Sequence, residues 1–284
     1  MRPLSQLDPD TDCEEIVFRL GAWEFPWDIE KALEFALFRT YAVPSISNLL
    51  SRTGEFAERP RKRYDDTELI LAEIVENGIE SAQGQAALDR MNAMHGAYRI
   101  ANSDMLYVLS TFVFEPPRWL ARWGRRPLTE IEQDAIFTYY KRLGTQMGIT
   151  DIPESRADFE TFNRAYEAEH FRFADTNADV GKATRDLLLS FYLPRALFPV
   201  ARPVAHALMD PPLRRAMGFA DPPRLVSAIA LGGMALRRRF LPLLPRRRRP
   251  FLQTKKRRPT YPKGYRIAEL GTFPGARDVQ QAVD

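Results

Sequence analysis

Residues 105–114 (MLYVLSTFVF) constrain the fold most, because they are apolar on every side of a helix. A polar run of three residues, 102–104 (NSD), precedes them and is typical of a helix start. A helix without a polar face is stable in water only when other elements cover all of it. We therefore expect a fully buried central helix that is ended by Pro116 and Pro117.

The rest of the chain also shows helical rather than strand periodicity. Two pairs, Thr129 with Glu132 and Ser155 with Asp158, have the spacing of capping boxes at helix starts. The predicted helices cover residues 28–50 with a break at Pro44, 66–77 up to Gly78, 85–100, 130–147 and 156–174. The predicted fold class is therefore all-α, with a single helical domain over residues 1–234.

The C-terminal tail, residues 235–284, differs from this domain in composition. Residues 237–266 contain 13 basic and no acidic side chains, which leaves 28 basic against 37 acidic residues elsewhere. The formal charge of +4 is therefore the sum of about +13 on residues 237–266 and about −9 on the rest of the chain. Such a block indicates an anionic partner, and its interleaved Pro, Leu and Phe residues favour a membrane surface over nucleic acid.

Several functional classes are excluded by what the sequence lacks. One cysteine, Cys13, rules out disulfide frameworks, all-cysteine zinc sites and iron–sulfur clusters, and its acidic neighbours make it a poor nucleophile. Motifs for dinucleotides, P-loop nucleotides, α/β-hydrolases and covalent haem c are absent. The polar, acidic N-terminus is unlike a signal or transit peptide, and the apolar run at 225–236 is too short to span a bilayer. We therefore expect an intracellular, cytoplasmic protein, at most peripheral on a membrane.

His95 is the strongest candidate for cofactor binding. It shares one helical face with Leu88, Met91 and Tyr98, and Gly96 beside it would let a flat ligand approach the backbone. An imidazole on an apolar wall is what a non-covalently bound haem iron requires. Spacing alone nevertheless favours the commoner alternative, a core histidine hydrogen-bonded to a neighbour.

The other two histidines have weaker patterns. His170 also lies on an apolar face, and Glu167 three residues before it matches half of a di-iron carboxylate motif. The sequence has no second Glu-x-x-His, so a ferritin-like di-iron site is disfavoured. His206 lies in a short segment between prolines and is interpreted as structural or surface-exposed.

Arg63 and Thr67 are spaced to share a helix face, although alone they also fit the solvated start of a helix. The segments RKRYDDT (61–67) and RMNAMHGAYRIANSDMLYVLSTFVFEPPRWL (90–120) resemble the MpaB-type oxygenases, relatives of the latex-clearing rubber oxygenases. The most diagnostic part is this Arg-x-x-x-Thr pair, followed some thirty residues later by an isolated histidine. The similarity extends from about Trp23 to YPKGY, through FPWDIEKAL, WGRRPL, MGITDIP and LFPV.

This resemblance implies an all-helical domain that holds haem b without covalent attachment. His95 looks like the proximal iron ligand, and Arg63 and Thr67 look like the polar pair of the family near the haem. Family members use O2 to cleave carbon–carbon double bonds of isoprenoid chains, which implies a lipophilic substrate. Residues of the central helix would then line an apolar channel, namely Met105, Leu106, Leu109, Phe112 and Phe114.

One position departs from the pattern of some rubber-cleaving members. Their lysine directly before the threonine, which can reach the iron, is replaced by Asp66. Cleavage of rubber itself is therefore not implied. A catalytic general base is not assigned either, since Glu55, Glu68 and Glu73 are all plausible by position.

The sequence supports two functions of different class. The first is a haem b-dependent oxygenase with O2 as co-substrate and a lipophilic small molecule as substrate. The alternative is a non-enzymatic helical protein that docks on anionic membranes through its basic tail, with each engaged basic residue contributing about 1 kcal/mol. An oxygenase that rests on a membrane surface would combine the two.

Overall fold

The computed structural model describes residues 2–273, and this range contains no β-strand. Its α-helices, numbered in chain order, are α1 Cys13–Arg19, α2 Pro26–Tyr41, α3 Pro44–Arg52, α4 Glu55–Glu58, α5 Pro60–Asn77, α6 Ala82–Gly96, α7 Asn102–Trp123, α8 Glu130–Gln146, α9 Arg156–His170, α10 Asp175–Ser190, α11 Phe198–Ala207, α12 Pro211–Ala216 and α13 Arg224–Phe240. A π-helical turn, Leu20–Glu24, joins α1 to α2. The predicted all-α class is confirmed for the described part of the chain.

α7 lies at the centre of these helices. It packs most extensively against α2, and it also contacts α8, α9 and α13. Its buried side chains point in every direction around the axis; between residues 106 and 114 they are Leu106, Tyr107, Leu109, Ser110, Thr111, Phe112, Val113 and Phe114. The prediction of a buried central helix is therefore confirmed.

The prediction that two prolines end this helix is wrong. α7 continues through Pro116 and Pro117, although neither residue can donate a backbone hydrogen bond to the preceding turn. The following turn stays helical because Trp119, Leu120 and Trp123 are buried in the main core. Burial of these large apolar side chains outweighs the local backbone preference.

Capping signals in the sequence mark two helix starts correctly. At α8, the Thr129 side chain accepts a hydrogen bond from the Glu132 backbone, and the Glu132 side chain accepts one from the Thr129 backbone. At α9, the Ser155 hydroxyl accepts a hydrogen bond from the Asp158 backbone. Each bond satisfies a backbone N–H that the helix itself leaves free.

α5 and α6 pack side by side around a tight connection. Gly78 ends α5 with a φ of +92°, a backbone conformation that favours glycine. α5 begins at Pro60, earlier than expected, and α6 ends at Gly96, earlier than expected. The connection is short, so the two helices run antiparallel, and the end of α6 lies beside the start of α5.

The chain after α12 lies on the other helices and forms no core of its own. α13 has no buried residue and lies against α11 and α7. Farther along, Arg258 and Leu270 are buried. The predicted boundary between residues 234 and 235 falls inside α13, and the division into a domain and a tail stays a prediction. No helix within residues 2–273 has the length and apolar character needed to cross a bilayer.

Candidate functional site

His95 lies in the last turn of α6, where it is half-buried. Leu88 and Met91 of the same stripe are buried beneath it. The Nδ1 atom of His95 is buried and has no hydrogen-bond partner among the described residues. Burial, together with the charge of Arg63, lowers the pKa of His95 to about 4. The imidazole is therefore neutral at pH 7, which is the form that can ligate a metal ion.

Arg63 and Thr67 form a hydrogen-bonded pair one turn apart on α5. The Arg63 guanidinium donates to the Thr67 hydroxyl, and this hydroxyl donates to the Arg63 carbonyl oxygen at 2.9 Å. The guanidinium also lies over the ring of Phe56, 5.8 Å from its centre. The positive charge of Arg63 acts on His95, so the three residues predicted to bind a cofactor lie in one region at neighbouring helix ends.

A cavity, which we call the apolar cavity, lies between α1, α2 and α5. The empty space within its walls and in the solvent at its mouth is about 960 Å³. Thr67 contributes to its lining, and so do the C-terminal residues Phe251 and Gln253. Most of its wall is carbon; the aliphatic and aromatic lining residues include Val17, Phe18, Ile29, Leu33, Leu37, Leu71, Ala72, Val75, Phe112 and Phe251. Such a wall suits a lipophilic ligand.

A second, more polar cavity lies beside His95 and includes about 700 Å³ up to its mouth. It is formed by the end of α6, the start of α7 and the connection between α8 and α9, and it is lined by Asn92, His95, Gly96, Tyr98, Ile100, Asn102, Met105, Met147, Gly148 and Ile149. Thr67 of α5 and His95 of α6 therefore border different cavities, and Arg63 lines neither of the two.

The expected channel along the central helix is only partly present. Phe112 lines the apolar cavity and Met105 lines the cavity beside His95. Leu106, Leu109 and Phe114 instead pack in the main core. α2 and α5 supply most of the apolar wall, which sequence reasoning missed because both helices have ordinary amphipathic patterns.

The lining of the apolar cavity includes a cluster of ionisable side chains, of which only Glu68 is singled out from the sequence. Glu34 accepts hydrogen bonds from Lys31 Nζ at 2.6 Å and from the Tyr64 hydroxyl at 2.9 Å. Glu68 accepts one from Arg258. Burial raises the pKa of Glu34 to about 7 and also raises the pKa of Glu68. These residues come from α2, α5 and the C-terminal segment, so no local motif could reveal the cluster.

Asp66, which departs from the family pattern, has a structural role here. It is buried and accepts hydrogen bonds from Lys62 Nζ at 2.6 Å and from the Tyr261 hydroxyl. The carboxylate therefore binds the C-terminal segment to α5.

The three glutamates left open as a general base lie in different surroundings. Glu68 lines the apolar cavity. Glu55 is buried and accepts a hydrogen bond from Arg59 at 2.6 Å, whereas Glu73 accepts one from the Tyr265 hydroxyl at 2.6 Å. Of the three, only Glu68 lines the apolar cavity or the cavity beside His95, and Arg258 donates a hydrogen bond to one of its carboxylate oxygens.

Both residues of the Glu-x-x-His pattern on α9 are hydrogen-bonded to other protein groups. Nδ1 of His170 lies 3.0 Å from the carbonyl oxygen of Tyr166. Glu167 accepts two hydrogen bonds from the guanidinium of Arg39. Within residues 2–273, no group of three or more His, Cys, Asp or Glu side chains is placed to hold a metal ion.

A haem iron requires only one protein side chain on its proximal side, because the porphyrin supplies the ligands in its plane. His95 fits this requirement through its neutral imidazole, its buried nitrogen without a partner and its position at the edge of a cavity. Arg63 would add positive charge close to a cofactor with anionic groups. The residues predicted from the sequence are therefore compatible with haem.

Comparison with known families identifies relatives of this fold. The family described as "ER-bound oxygenase mpaB/B'/Rubber oxygenase, catalytic domain" matches residues 35–239, a range that includes Arg63, Thr67 and His95. The chain is 33% identical over 231 residues to ER-bound oxygenase mpaB of Penicillium roqueforti, and the match covers 75% of the chain and 77% of that protein.

Two proteins of Penicillium brevicompactum are also similar. The chain is 32% identical over 233 residues to ER-bound oxygenase mpaB', covering 76% of the chain and 55% of the relative. It is 32% identical over 185 residues to ER-bound oxygenase mpaB, covering 59% of the chain and 47% of the relative. The matches span about half the length of these two relatives. Since the family match covers most of the chain and includes every predicted cofactor residue, the protein belongs to the oxygenase family of mpaB and the rubber oxygenase catalytic domain.

Proposed function

We propose that this protein is a haem b-dependent oxygenase that uses O2 to cleave or oxidise carbon–carbon double bonds of a prenylated or otherwise lipophilic substrate. The observation that carries the proposal is the state of His95, which is neutral and has a buried nitrogen without a partner among the described residues. A buried polar atom without a partner costs free energy, and iron ligation through Nδ1 itself would offset that cost. Membership of an oxygenase family supports the reaction class.

Bound haem would supply the activation of O2. The residues of the chain would fix and tune it. His95 would hold the iron, and the charge of Arg63 helps to keep the imidazole unprotonated. Thr67 fixes the Arg63 side chain through their hydrogen bond. Apart from His95, none of these roles requires a side chain next to the metal that changes its protonation state.

The apolar cavity supports a lipophilic substrate. An isoprenoid chain offers no charge and no hydrogen bond, so it is held by burial alone, at about 25 cal/mol per Å² of apolar surface. The family description names rubber, a hydrocarbon polymer, for one of its branches. A prenylated small molecule is the substrate class that we expect for this chain.

The absorption spectrum of the purified protein tests haem binding directly. We expect a Soret band in the wild-type protein, loss of that band in His95→Ala, and retention in His170→Ala, because His170 is hydrogen-bonded within α9. Absence of the band in the wild-type protein after reconstitution with haem would refute the proposal. Loss of the band only in His170→Ala would move the iron ligand to α9.

Product analysis tests the reaction. The haem-loaded protein should convert prenylated compounds to carbonyl products under O2 but not under argon, with mass spectrometry as the readout. His95→Ala, assayed beside free haem at the same concentration, controls for reactions of the cofactor alone. Equal product from free haem would contradict an enzymatic role.

A second candidate function, docking on anionic membranes, is favoured by exposed apolar side chains on the turn before α11, on α11, on α13 and on the turn after α13. We call this the α11–α13 surface; its members are Leu197, Val200, Val204, Leu225, Ile229, Leu236, Phe240, Leu243 and Leu244. Leu225 and Leu243 are more than 70% exposed, at 71% and 73%. Exposed arginines at residues 246–249 adjoin the surface. Apolar side chains beside basic ones are typical of interfacial segments.

Vesicle flotation tests this candidate. We expect the full chain to float with vesicles that contain phosphatidylserine and less with phosphatidylcholine alone. Leu225→Ser/Ile229→Ser/Leu236→Ser should reduce flotation by about tenfold, because each substitution removes an apolar contact. Phe173→Ser is the control, since Phe173 is exposed outside this surface. Unchanged flotation of the triple variant would contradict docking through α13.

A further inference from the structure

The lining of the apolar cavity is not uniform, because it includes polar side chains among the apolar ones. Most of the side chains that line it are aliphatic or aromatic. Glu34 of α2 and Tyr64 of α5 also line it and are joined by a hydrogen bond, and Glu30 and Glu68 lie one turn away on the same two helices. A pure hydrocarbon makes no hydrogen bond with this polar pair, whereas a molecule with a polar head and an apolar chain matches both parts of the lining.

Glu34 is placed to bind a ligand through one of its two carboxylate oxygens. Glu34 is only 5% exposed, and it lines the apolar cavity. Oε1 accepts the hydrogen bonds from Lys31 and Tyr64, and no described residue donates to Oε2. A carboxylate oxygen without a donor gains a charge-assisted hydrogen bond from any O–H group that reaches it.

The charges around Glu34 and Tyr64 decide which head groups the cavity accepts. Three carboxylates lie close to this pair in the lining, namely Glu30, Glu34 itself and Glu68, and Glu76 lines the cavity farther along α5. The cations near them are already engaged. Lys31 lies within 3.0 Å of both Glu30 and Glu34, Lys256 lies 3.4 Å from Glu30, and Arg258 binds Glu68. No cation among the described residues lining the cavity is left to neutralise an added anion.

Burial adds to the penalty against anions. The raised pKa values of Glu34 and Glu68 mean that their surroundings already disfavour negative charge. A carboxylate or phosphate brought to the same place would meet the same desolvation and like-charge repulsion. A hydroxyl group meets neither cost.

We propose that Glu34 and Tyr64 form a head-group site that binds the uncharged hydroxyl of an isoprenoid alcohol or prenylated phenol and rejects carboxylate and phosphate heads. The inference rests on the proposed function only in taking the apolar cavity as the substrate site. The hydroxyl donates to Oε2 of Glu34, and the apolar chain lies along Leu33, Leu71 and Val75. Head-group charge is thereby the main determinant of specificity.

Calorimetric titration of the purified full-length protein at pH 8 tests the proposal. The probes are farnesol, farnesoic acid and farnesyl monophosphate, which share one chain and differ in the head. We expect farnesol to bind at least about tenfold more tightly than the two anions, in keeping with the strength of a hydrogen bond to a charged acceptor. Equal affinities for the three probes would overturn the proposal.

Two variants make the test specific to this site. In Glu34→Gln the preference for farnesol over farnesoic acid should fall to about threefold or less, because the ionised acceptor is gone. Glu160→Gln is the matched control, since Glu160 lies on α9 and pairs with Arg118 and Arg164 away from the cavity. An unchanged preference in Glu34→Gln would overturn the proposal.

If Glu34→Gln fails to fold, Leu71→Trp provides a second test of the site. It fills the apolar part of the cavity and leaves the polar cluster intact, so binding of all three probes should be lost while the far-ultraviolet circular dichroism stays helical. Retained farnesol binding would place the ligand elsewhere. Calorimetry measures binding and needs no catalytic turnover. A wild-type protein without a Soret band would therefore refute the oxygenase proposal, while the ranking of the three probes by affinity could still be tested.

Discussion

At the scale of single residues, the three histidines show how environment determines the role of an imidazole. His95 has a buried nitrogen without a partner, whereas His170 contacts a backbone carbonyl of its own helix. His206 is buried, stacks on Phe219 at 4.4 Å and lies 3.1 Å from Nη1 of Arg185, which donates to its Nε2. The interpretation of His206 as structural or surface-exposed is narrowed by this packing, which makes it structural and buried. Of the three rings, only that of His95 has a buried nitrogen without a partner among the described residues.

The surroundings of His206 predict an acid-sensitive fold. Burial, and then the charge of Arg185, lower the pKa of His206 to about 4. Between pH 6.5 and pH 4 the imidazole of His206 is therefore protonated in the unfolded chain and neutral in the folded chain. The unfolding free energy consequently falls as the pH falls. We expect His206 to account for about 2 kcal/mol of the fall in unfolding free energy of the wild-type protein between pH 7 and pH 5. The fall in His206→Gln should therefore be smaller by about 2 kcal/mol.

Urea unfolding at the two pH values measures this difference. His170→Gln is the matched control, because it removes an imidazole from a half-buried position on α9. The same pH dependence in wild type and His206→Gln would contradict the assignment.

The site residues that could be predicted are those that carry a local pattern. His95 follows from a helical stripe, and Arg63 with Thr67 from their spacing and the family resemblance. Glu34 and Tyr64 could not be predicted, since they meet through tertiary packing of two helices thirty residues apart in sequence. Only the fold shows that their polar atoms share the lining of an apolar cavity.

At the scale of elements, α7 and α8 approach each other closely at one glycine. A Cβ atom built on Gly144 would lie 2.4 Å from Cδ2 of Leu109 and 3.0 Å from Cδ1 of Ile152. Both neighbours are side-chain ends, so they can shift only by displacing other core residues. The glycine therefore sets the distance between the central helix and α8.

Alanine substitution tests this close approach. We expect Gly144→Ala to lower the unfolding free energy by about 1–3 kcal/mol through overpacking, measured by urea denaturation. Gly232→Ala on α13 is the control, because nothing lies within 4 Å of its added Cβ and its helix propensity improves. Equal or higher stability of Gly144→Ala would show that the α7–α8 contact is looser than described.

Most helices could be predicted from the sequence, because apolar spacing and caps act locally. The starts of α8 and α9 follow from Thr129 and Ser155, and the end of α5 follows from Gly78. The continuation of α7 past Pro116 could not be predicted in this way. It depends on burial of the turn that follows, which is a property of the assembled core.

At the scale of the whole molecule, part of the charge asymmetry is used inside the protein. Arg237 binds Asp28 at 2.9 Å, and Arg258 binds Glu68. The acidic body and the basic C-terminal segment are thus partners of each other. The exposed arginines at 246–249 remain available for an anionic surface.

Arg258 is the residue on which this attachment depends most. Its side chain is 2% exposed and lies between Glu68 and the fully buried Asp65. We expect Arg258→Met to lower the unfolding free energy by about 3 kcal/mol or more, because it leaves buried carboxylates uncompensated. Arg257→Met, at an exposed position, should change it by less than about 0.5 kcal/mol. Urea denaturation measures both, and equal effects would contradict a buried ion pair.

The position of Phe251 and Gln253 in the cavity wall also sets an order of events during biosynthesis. The opposite wall, at Val17 and Phe18, leaves the ribosome more than two hundred residues earlier. Chains fold from the N-terminus while they are being made, so the nascent helices hold an unfinished cavity that is open on one side. The wall of the apolar cavity is therefore complete only after the C-terminal segment has been made and has docked.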